Sequence, residues 1–212
     1  MSANFHISKN VTKDLEGGFF NDPSAGYTYN GISYKYNPLW KGWPLLFQLA
    51  ARRYGHISKT PRYAKFDSNE LNVLVDAFKK TEFWDRFIGD NRLLNQDIAN
   101  FIYDFIFHKK FDAVAVINAT AKSINAAVQT RADKLSDAVV TVINTAQQKF
   151  YKLLYNNRKV YYKNPRAFTG TKSAPFSKSL QDAFIRDRVQ KFPATTKDSR
   201  LPAFYSPFQL TL

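Results

Sequence analysis

A glutamate in front of two glycines is the residue pattern in this chain best suited to acid–base chemistry. Glu16 precedes Gly17-Gly18, and the apolar spacing before it predicts a helix over residues 4–16 that ends at these glycines. A carboxylate at a helix C-terminus meets the negative end of the helix dipole, which costs about 0.3–1 kcal/mol. A glycosidase acid must keep its proton near neutral pH, and this position raises its pKa. Glu16 is therefore a candidate general acid. The alternative is an ordinary acidic residue before a turn.

The residues after Glu16 extend this pattern. In order along the chain they read Glu16-Gly17-Gly18-Phe19, Asn21-Asp22-Pro23, Gly26 with Thr28, and Gly31-Ile32-Ser33. The ordered set resembles the signature of glycoside hydrolase family 108, the N-acetylmuramidases of phages and bacteria. It is also similar to the Glu, Asp and Thr corner of phage-type lysozymes. Weaker similarity continues through residues 40–43, 83–84 and 95–105 and ends at Arg158 with Tyr161-Tyr162, so that it covers about residues 4–163.

The resemblance implies a role for three side chains. Glu16 would protonate the glycosidic oxygen between N-acetylmuramic acid and N-acetylglucosamine, while Asp22 and Thr28 would position or activate water. In an inverting glycosidase the two carboxyl groups lie roughly 6.5–9.5 Å apart to admit that water. A hairpin between Glu16 and Asp22 would provide such a separation. The alternative for Asp22 is an Asp-Pro turn residue that bonds to its own backbone.

The chain departs from the family pattern in three places. The loop after Asp22 is two residues shorter and lacks a second Asp, and Ala25 stands where the family has Gly. The family's turn glycines are absent from the segments Phe107-His108-Lys109-Lys110 and 135–141. A basic extension follows residue 163. These differences favour a domain adapted to another context or one that has lost catalysis.

Aromatic side chains are abundant near the predicted cleft. Sugars stack on aromatic rings, so a saccharide platform and a hydrophobic core are equal alternatives for these residues. The predicted substrate-binding residues are Tyr27, Tyr29, Asn30, Trp40 and Trp43. The chain has no Cys and three scattered His, which excludes disulfides and thiolate chemistry and argues against a metal site. We expect no cofactor.

The periodicity predicts a mainly α, lysozyme-like α+β fold. A β hairpin over residues 19–34 follows the first helix, and later helices include Leu45–Arg53, one capped by Asp67 and Glu70, one capped by Asn95 and one capped by Ser136. We expect a muramidase domain over residues 1–163. Residues 164–212 form a basic extension rich in Pro and aromatics, with one helix from Lys178 to Gln190, and we expect it to dock on the domain or on a neighbouring subunit.

The net charge of the chain restricts the classes of partner that it can attract. The formal charge is +14, and about +9 of it lies in the last 62 residues. Such an excess attracts polyanions, among them the cell wall, acidic subunits and nucleic acid. Cations interleaved with aromatics around Arg158–Lys163 and at Arg186, Arg188 and Lys191 also occur in nucleic-acid binders, although a solvated basic face is the favoured interpretation. No signal peptide or membrane span is predicted.

Two functions follow from these observations. The first is a peptidoglycan hydrolase of N-acetylmuramidase type, phage-encoded, in the virion or in the host cytoplasm with delivery to the wall. The second is an inactive virion component of muramidase fold, whose residues 164–212 bind neighbouring subunits or DNA. The shortened loop favours the second function, and the retained Glu-Gly-Gly and Asn-Asp-Pro favour the first, which we adopt.

Overall fold

The structure is a computed structural model that describes residues 2–13, 17–23, 25–170 and 175–194 of the chain. These residues form two compact units. One unit comprises residues 10–82, and the other comprises residues 1–9 together with the chain from residue 83 onward. We call them the hairpin unit and the helical unit. Helix α1, Phe5–Lys13, begins in the helical unit and ends in the hairpin unit.

The hairpin unit contains a three-stranded antiparallel sheet in the order β1-β2-β3. The strands are Phe19–Asp22, Gly26–Tyr29 and Ile32–Ser33. Asn30 and Gly31 connect β2 to β3 with φ angles of 47° and 81°. Positive φ at both central residues is the geometry of a type I′ turn, for which Asn-Gly is the preferred pair. The hairpin predicted over residues 19–34 is confirmed.

Two helices cover one face of this sheet. Helix α2 spans Gly42–Tyr54 and α3 spans Asn69–Lys79. The core between sheet and helices is dominated by aromatic and aliphatic side chains, including Phe19, Tyr29, Ile32, Trp43, Leu46 and Leu71. The side chain of Ser68 caps α3 by accepting the Leu71 N–H, so the predicted cap at Asp67 is wrong by one residue.

The helical unit is built around the long helix α4, Gln96–Ile124. Asn95 caps it by accepting the Ile98 N–H at 3.1 Å, as predicted. Helices α5, Asp137–Thr145, and α6, Gln147–Lys163, pack against it. Ser136 caps α5, which is also confirmed. A π-helical turn over Lys80–Ile88 enters the unit.

Helix α4 breaks at Lys110, whose φ of 38° and ψ of −112° are not helical. An L-residue in this region carries strain that its surroundings must offset. Lys110 lies in the segment where the resemblance would place a turn glycine.

The described residues after α6, 164–170 and 175–194, pack on the other helices of the helical unit. A short helix α7 spans Arg166–Thr169 and α8 spans Lys178–Phe184, with a π-helical turn over Ile185–Val189. The helix predicted from Lys178 to Gln190 is confirmed. Phe184 contacts Tyr162, and Phe192 contacts Phe101. Tyr151 donates a hydrogen bond to the Pro193 carbonyl at 2.7 Å.

The fold is mainly α with one small β hairpin, as the sequence predicted. Across the described residues, none of the helices combines the length and apolar character that a bilayer crossing requires. The division at residue 163 stays a prediction.

Candidate functional site

The described chain resumes at Gly17, one residue after the candidate acid. Glu16 itself lies outside the described residues, as do Asp14 and Leu15. The structure describes the backbone from Gly17 onward and the sheet that follows. The predicted role of Glu16 therefore stays a prediction.

Gly17 and Gly18 pass closely over the loop at residues 61–64. A Cβ at Gly18 would lie 2.4 Å from the Ala64 carbonyl oxygen and 2.5 Å from that of Tyr63. The φ of Gly18 is +32°, which side chains rarely adopt. The Phe19 N–H donates to the Ala64 carbonyl at 2.8 Å, and the Tyr63 N–H donates back to the Phe19 carbonyl at 2.6 Å. This part of the Glu-Gly-Gly pattern thus has a packing reason that is independent of catalysis.

Asp22 and Thr28 lie on the same face of the hairpin. Phe20 pairs with Thr28 and Asp22 pairs with Gly26. Since side chains alternate between faces, Phe20, Asp22 and Thr28 all lie opposite the face that packs on the helices. Asp22 and Thr28 are diagonal neighbours, a relation that spans roughly 7–8 Å in antiparallel sheets. The structure therefore brings two of the three predicted catalytic residues together.

Each of these two side chains also has a local hydrogen bond. Asp22 Oδ1 accepts the Ala25 N–H at 2.9 Å, which closes the turn between β1 and β2. Thr28 Oγ1 lies 3.4 Å from the Gly26 carbonyl. Ser33, which pairs with Thr28, donates its hydroxyl to the Ala25 carbonyl at 2.7 Å. The turn role considered for Asp22 is present in the structure.

Arg62 places a cation beside this face, which the sequence analysis did not anticipate. Its guanidinium lies 4.5 Å from the centre of the Phe20 ring and 4.7 Å from that of Tyr63. Phe20 shares its face with Asp22 and Thr28. No sequence motif signals this residue, because the turn at residues 61–64 is brought to β1 only by tertiary hydrogen bonds.

Tyr29 and Trp43 were predicted to bind substrate, but both lie in the core. Tyr29 is 1% exposed and Trp43 is 2% exposed. The Tyr29 hydroxyl accepts the Phe66 N–H, and burial raises the pKa of this phenol. Trp43 donates its indole N–H to the Asn37 carbonyl at 2.8 Å. Of the two alternatives, these rings belong to the hydrophobic core, because the hairpin must bury an apolar face against α2.

The other two predicted residues of the β2 region also have structural contacts. Tyr27 is half-buried between Phe19 and Phe47, at ring-centre distances of 5.8 and 6.3 Å. Asn30 forms the type I′ turn, and its N–H donates to the Gly18 carbonyl at 3.0 Å. Asn30 therefore ties the tip of the hairpin to the glycines that follow Glu16.

Trp40 borders a cavity of the hairpin unit with a volume of about 620 Å³. Its indole N–H donates to the Leu74 carbonyl at 3.2 Å, so the ring is fixed at the cavity wall. Tyr36, Leu39 and Phe78 complete an apolar lining, and Glu82 lies at its edge. Tyr36 is 68% exposed and presents an open ring. Among the described residues, no group of three or more Asp, Glu or His is placed to hold a metal ion.

A second polar cluster is enclosed in the helical unit. Asp104 is fully buried and accepts hydrogen bonds from Arg158 at 2.5 Å and from Arg188 at 3.0 Å. Arg158 is also fully buried and lies over the ring of Phe105. The Tyr162 hydroxyl lies 3.1 Å from Arg158. The weaker part of the resemblance named Asp104, Arg158 and Tyr162, and the structure joins all three in one network. Because this network is buried, we assign it a role in stabilising the fold.

His108 extends this network. Its Nδ1 lies 2.9 Å from the Tyr162 hydroxyl, and its ring packs edge-on against Phe184. Burial and the neighbouring Lys109, Arg188 and Arg158 hold the pKa of His108 well below its usual value of 6.5. Burial likewise lowers the pKa of Lys109 to about 8.

Comparison with known proteins gives a fold but no family. No protein-family model matches the chain, and no curated protein sequence matches it. The solved structure of Brucella abortus SagA is similar, with a TM-score of 0.54 and 16% sequence identity, covering 93% of this chain and 98% of that chain. At this identity, the likeness shows a shared fold.

Proposed function

We propose that this chain is a peptidoglycan hydrolase of the N-acetylmuramidase type with Glu16 as its general acid. The observation that carries the proposal is the face shared by Asp22 and Thr28 on the hairpin that begins at Gly18. The resemblance to glycoside hydrolase family 108 assigns roles to these same residues. The hairpin thus provides the Asp22 carboxylate and the Thr28 hydroxyl. In the sequence it directly follows the segment that ends with Glu16.

In the proposed reaction, Glu16 donates its proton to the glycosidic oxygen as the bond to C1 of N-acetylmuramic acid breaks. Asp22 accepts a proton from the water that attacks C1, and the Thr28 hydroxyl orients that water. The reaction inverts the configuration at C1, since the attacking water comes from the face opposite the leaving group. Proton and charge balance because one carboxyl loses the proton that the other gains.

The electrostatics near Asp22 suit a general base. Asp22 must be ionised to accept a proton from water. The Arg62 guanidinium, held over Phe20, adds positive potential on this side of the sheet. The Ala25 N–H that bonds to Oδ1 favours the ionised form in the same way.

The same proposal includes the substrate and the place where the chain acts. The chain's charge of +14 favours approach to a wall polymer whose peptides carry carboxylates. We propose a lysozyme-like fold of phage origin, acting from the virion or after delivery from the host cytoplasm. The fold likeness to Brucella abortus SagA supports the architecture of this proposal.

One observation favours the second candidate, a virion component that no longer turns over substrate. Asp22 closes its own turn through Ala25, in a loop two residues shorter than the family pattern. If that bond is its only task, the hairpin keeps its shape without catalysis. Arg188 forms an ion pair with the buried Asp104 at 3.0 Å.

Clearing of purified peptidoglycan separates the two candidates. We expect turbidity to fall with the wild type and not with Glu16→Gln, and to fall at least 100-fold more slowly with Asp22→Asn, since general acid–base groups contribute about 10²- to 10⁴-fold. Asn21→Ala is the matched control, because Asn21 is exposed on the other face of the same strand. Clearing by Glu16→Gln at the wild-type rate would refute the assignment, and no clearing by any variant would favour the structural role.

A further inference from the structure

Arg62 is an exposed cation beside the hairpin face that carries Asp22 and Thr28. Its guanidinium lies 4.5 Å from the centre of the Phe20 ring, and Phe20 pairs directly with Thr28. Asp22 follows Phe20 by two residues on the same strand, so the two side chains lie about 7 Å apart on one face. All four residues belong to the hairpin unit. The guanidinium is therefore within reach of a molecule bound at Asp22 and Thr28.

The Tyr63 ring links Arg62 to the glycines that follow Glu16 in the chain. The centre of this ring lies 4.7 Å from the guanidinium. The same ring packs over Gly17, where an added Cβ would lie 3.2 Å from Cδ1 of Tyr63. Gly17 directly follows Glu16 in the sequence. The turn that carries Arg62 thus contacts both the hairpin face and the residue after the proposed acid.

The backbone of this turn is strained at Tyr63. Its φ of 64° lies in the left-handed region, which aromatic residues rarely adopt. The Tyr63 N–H donates to the Phe19 carbonyl at 2.6 Å, and the Phe19 N–H donates to the Ala64 carbonyl at 2.8 Å. These two bonds fix the turn on β1 and keep Arg62 beside Phe20. Strained residues persist where their surroundings fix them, and they cluster at binding sites.

The chemistry of the guanidinium favours a carboxylate as its ligand. The two rings orient the group, but they supply no oxygen acceptor for its five N–H donors. Its planar fork of N–H groups matches the two oxygens of a carboxylate, and such bidentate, charge-assisted hydrogen bonds are strong. Nucleic acids gain affinity from many phosphate contacts at once. Here one guanidinium lies near the Asp22 carboxylate, which repels a polyanion.

We infer that Arg62 determines specificity by binding a carboxylate of the peptide stem that the N-acetylmuramic acid unit carries. The bound stem holds this sugar over the face of Asp22 and Thr28. The choice of the peptide stem rests on the proposed function, since the proposed cleavage occurs at the sugar to which the stem is attached. The contact itself rests on the position of Arg62. Removal of Arg62 should therefore weaken the binding of glycan only when the stem carboxylates are present.

The test combines removal of the guanidinium with removal of the carboxylates. It uses the full chain with Glu16→Gln, so that soluble glycan fragments labelled with a fluorophore stay intact, and it measures Kd by fluorescence anisotropy. The fragments carry peptide stems whose carboxyl groups are either free or amidated with methylamine. The variant is Arg62→Gln. The matched control is Arg53→Gln, because Arg53 is also exposed, lies 5.3 Å from the centre of the Tyr54 ring and belongs to the same unit.

A charged hydrogen-bonded pair sets the expected size of the effect. Hydrogen bonds to charged groups change affinity by about 10- to 100-fold, and solvent screening at an exposed site places this pair at the lower end. We therefore expect Arg62→Gln to raise the Kd for fragments with free carboxyl groups by about 10-fold. Amidation should raise the Kd of the parent by at least as much, and Arg62→Gln should then have no further effect.

Two further variants complete the comparison. Arg53→Gln should bind both kinds of fragment as tightly as the parent does. Arg62→Lys should recover only part of the affinity, because an ammonium group keeps the charge but lacks the planar fork. Thermal unfolding followed by circular dichroism checks that every variant folds.

Four outcomes would overturn the proposal. They are no binding of the fragments by the parent, an equal loss on free and amidated fragments, an equal loss in Arg62→Gln and Arg53→Gln, and full recovery by Arg62→Lys, which would indicate recognition by charge alone. Dependence on Arg62 that persists on glycan stripped of its stems by an amidase would place the carboxylate on the lactyl group of the sugar and would overturn the assignment to the stem.

The contact and the proposed hydrolysis fail separately, because binding is measured without turnover. A chain that binds stems through Arg62 and does not clear peptidoglycan retains this contact and loses the proposed activity. A chain that clears peptidoglycan with a Kd independent of Arg62 retains the activity and loses the contact.

Discussion

Removal of Arg158 tests whether the enclosed ion network stabilises the helical unit. Asp104 and Arg158 are both 0% exposed, and Arg188 is 12% exposed on its side chain. In Arg158→Met, Asp104 keeps one cation and loses the shorter of its two contacts. Removing one partner of a buried ion pair costs about 3–5 kcal/mol, and Arg188 alone then faces the buried carboxylate. For a chain of this size, that lowers the melting temperature by roughly 6–20 °C.

Urea unfolding followed by circular dichroism measures this loss. Arg131→Met is the matched control, because Arg131 forms an equally well-aligned pair with Asp133 at 2.9 Å but on the surface. Exposed pairs are screened by solvent, so we expect its urea midpoint to match that of the wild type. The two variants make the same change in charge and in side-chain chemistry and differ in burial.

A double variant separates charge from packing. In Asp104→Leu with Arg158→Met, no uncompensated carboxylate remains, and Arg188 is close enough to the surface to reach water. We expect the double variant to be more stable than Arg158→Met alone. An Arg158→Met variant as stable as Arg131→Met, or a double variant whose losses simply add, would refute the assignment of this network to charge compensation.

Three further predictions concern single residues. Gly18→Ala should destabilise the hairpin unit by several kcal/mol, because the new Cβ would lie 2.4 Å from a carbonyl oxygen. Gly26→Ala has no atom within 4 Å of its Cβ and should cost about 1–3 kcal/mol for the positive φ alone. Equal melting temperatures of the two variants would contradict this prediction. The folded chain keeps His108 neutral, whereas the unfolded chain takes up a proton on this residue below about pH 6.5. The free energy of unfolding should therefore fall as the pH decreases from 6.5, by up to about 1.4 kcal/mol per pH unit. Urea midpoints measured from pH 7.5 to 5 check this, and their dependence on pH should be weaker in His108→Gln. Tyr36→Ala should raise KM for soluble glycan fragments without changing the melting temperature if the 620 Å³ cavity holds sugar, and an unchanged KM would exclude the cavity as a subsite.

Local signals in the sequence gave the elements reliably. Asn95 and Ser136 cap helices as predicted, since capping depends on one side chain and a backbone N–H three residues away. The hairpin over residues 19–34 was predicted, but Asn30, which was predicted to bind substrate, forms its turn with Gly31. The cap at Ser68 was missed because Asp67 and Ser68 are both good capping residues and only the backbone decides between them.

Residues that act through tertiary contacts were harder to predict. Tyr29 and Trp43 were equally compatible with a sugar platform and with a core, because an aromatic side chain alone does not tell which face of the sheet is covered. Arg62 meets Phe20 only after the loop at 61–64 bonds to β1. Asp104 and Arg188 are 84 residues apart, and no local pattern links them.

We propose that the chain cleaves the glycan at N-acetylmuramic acid with Glu16 as acid. The most direct measurement is mass spectrometry of the soluble fragments released from purified peptidoglycan, after reduction with borohydride to mark new reducing ends. We expect reduced N-acetylmuramic acid at these ends with the wild type and none with Glu16→Gln. Reduced N-acetylglucosamine at the ends, or equal release by wild type and Glu16→Gln, would contradict it.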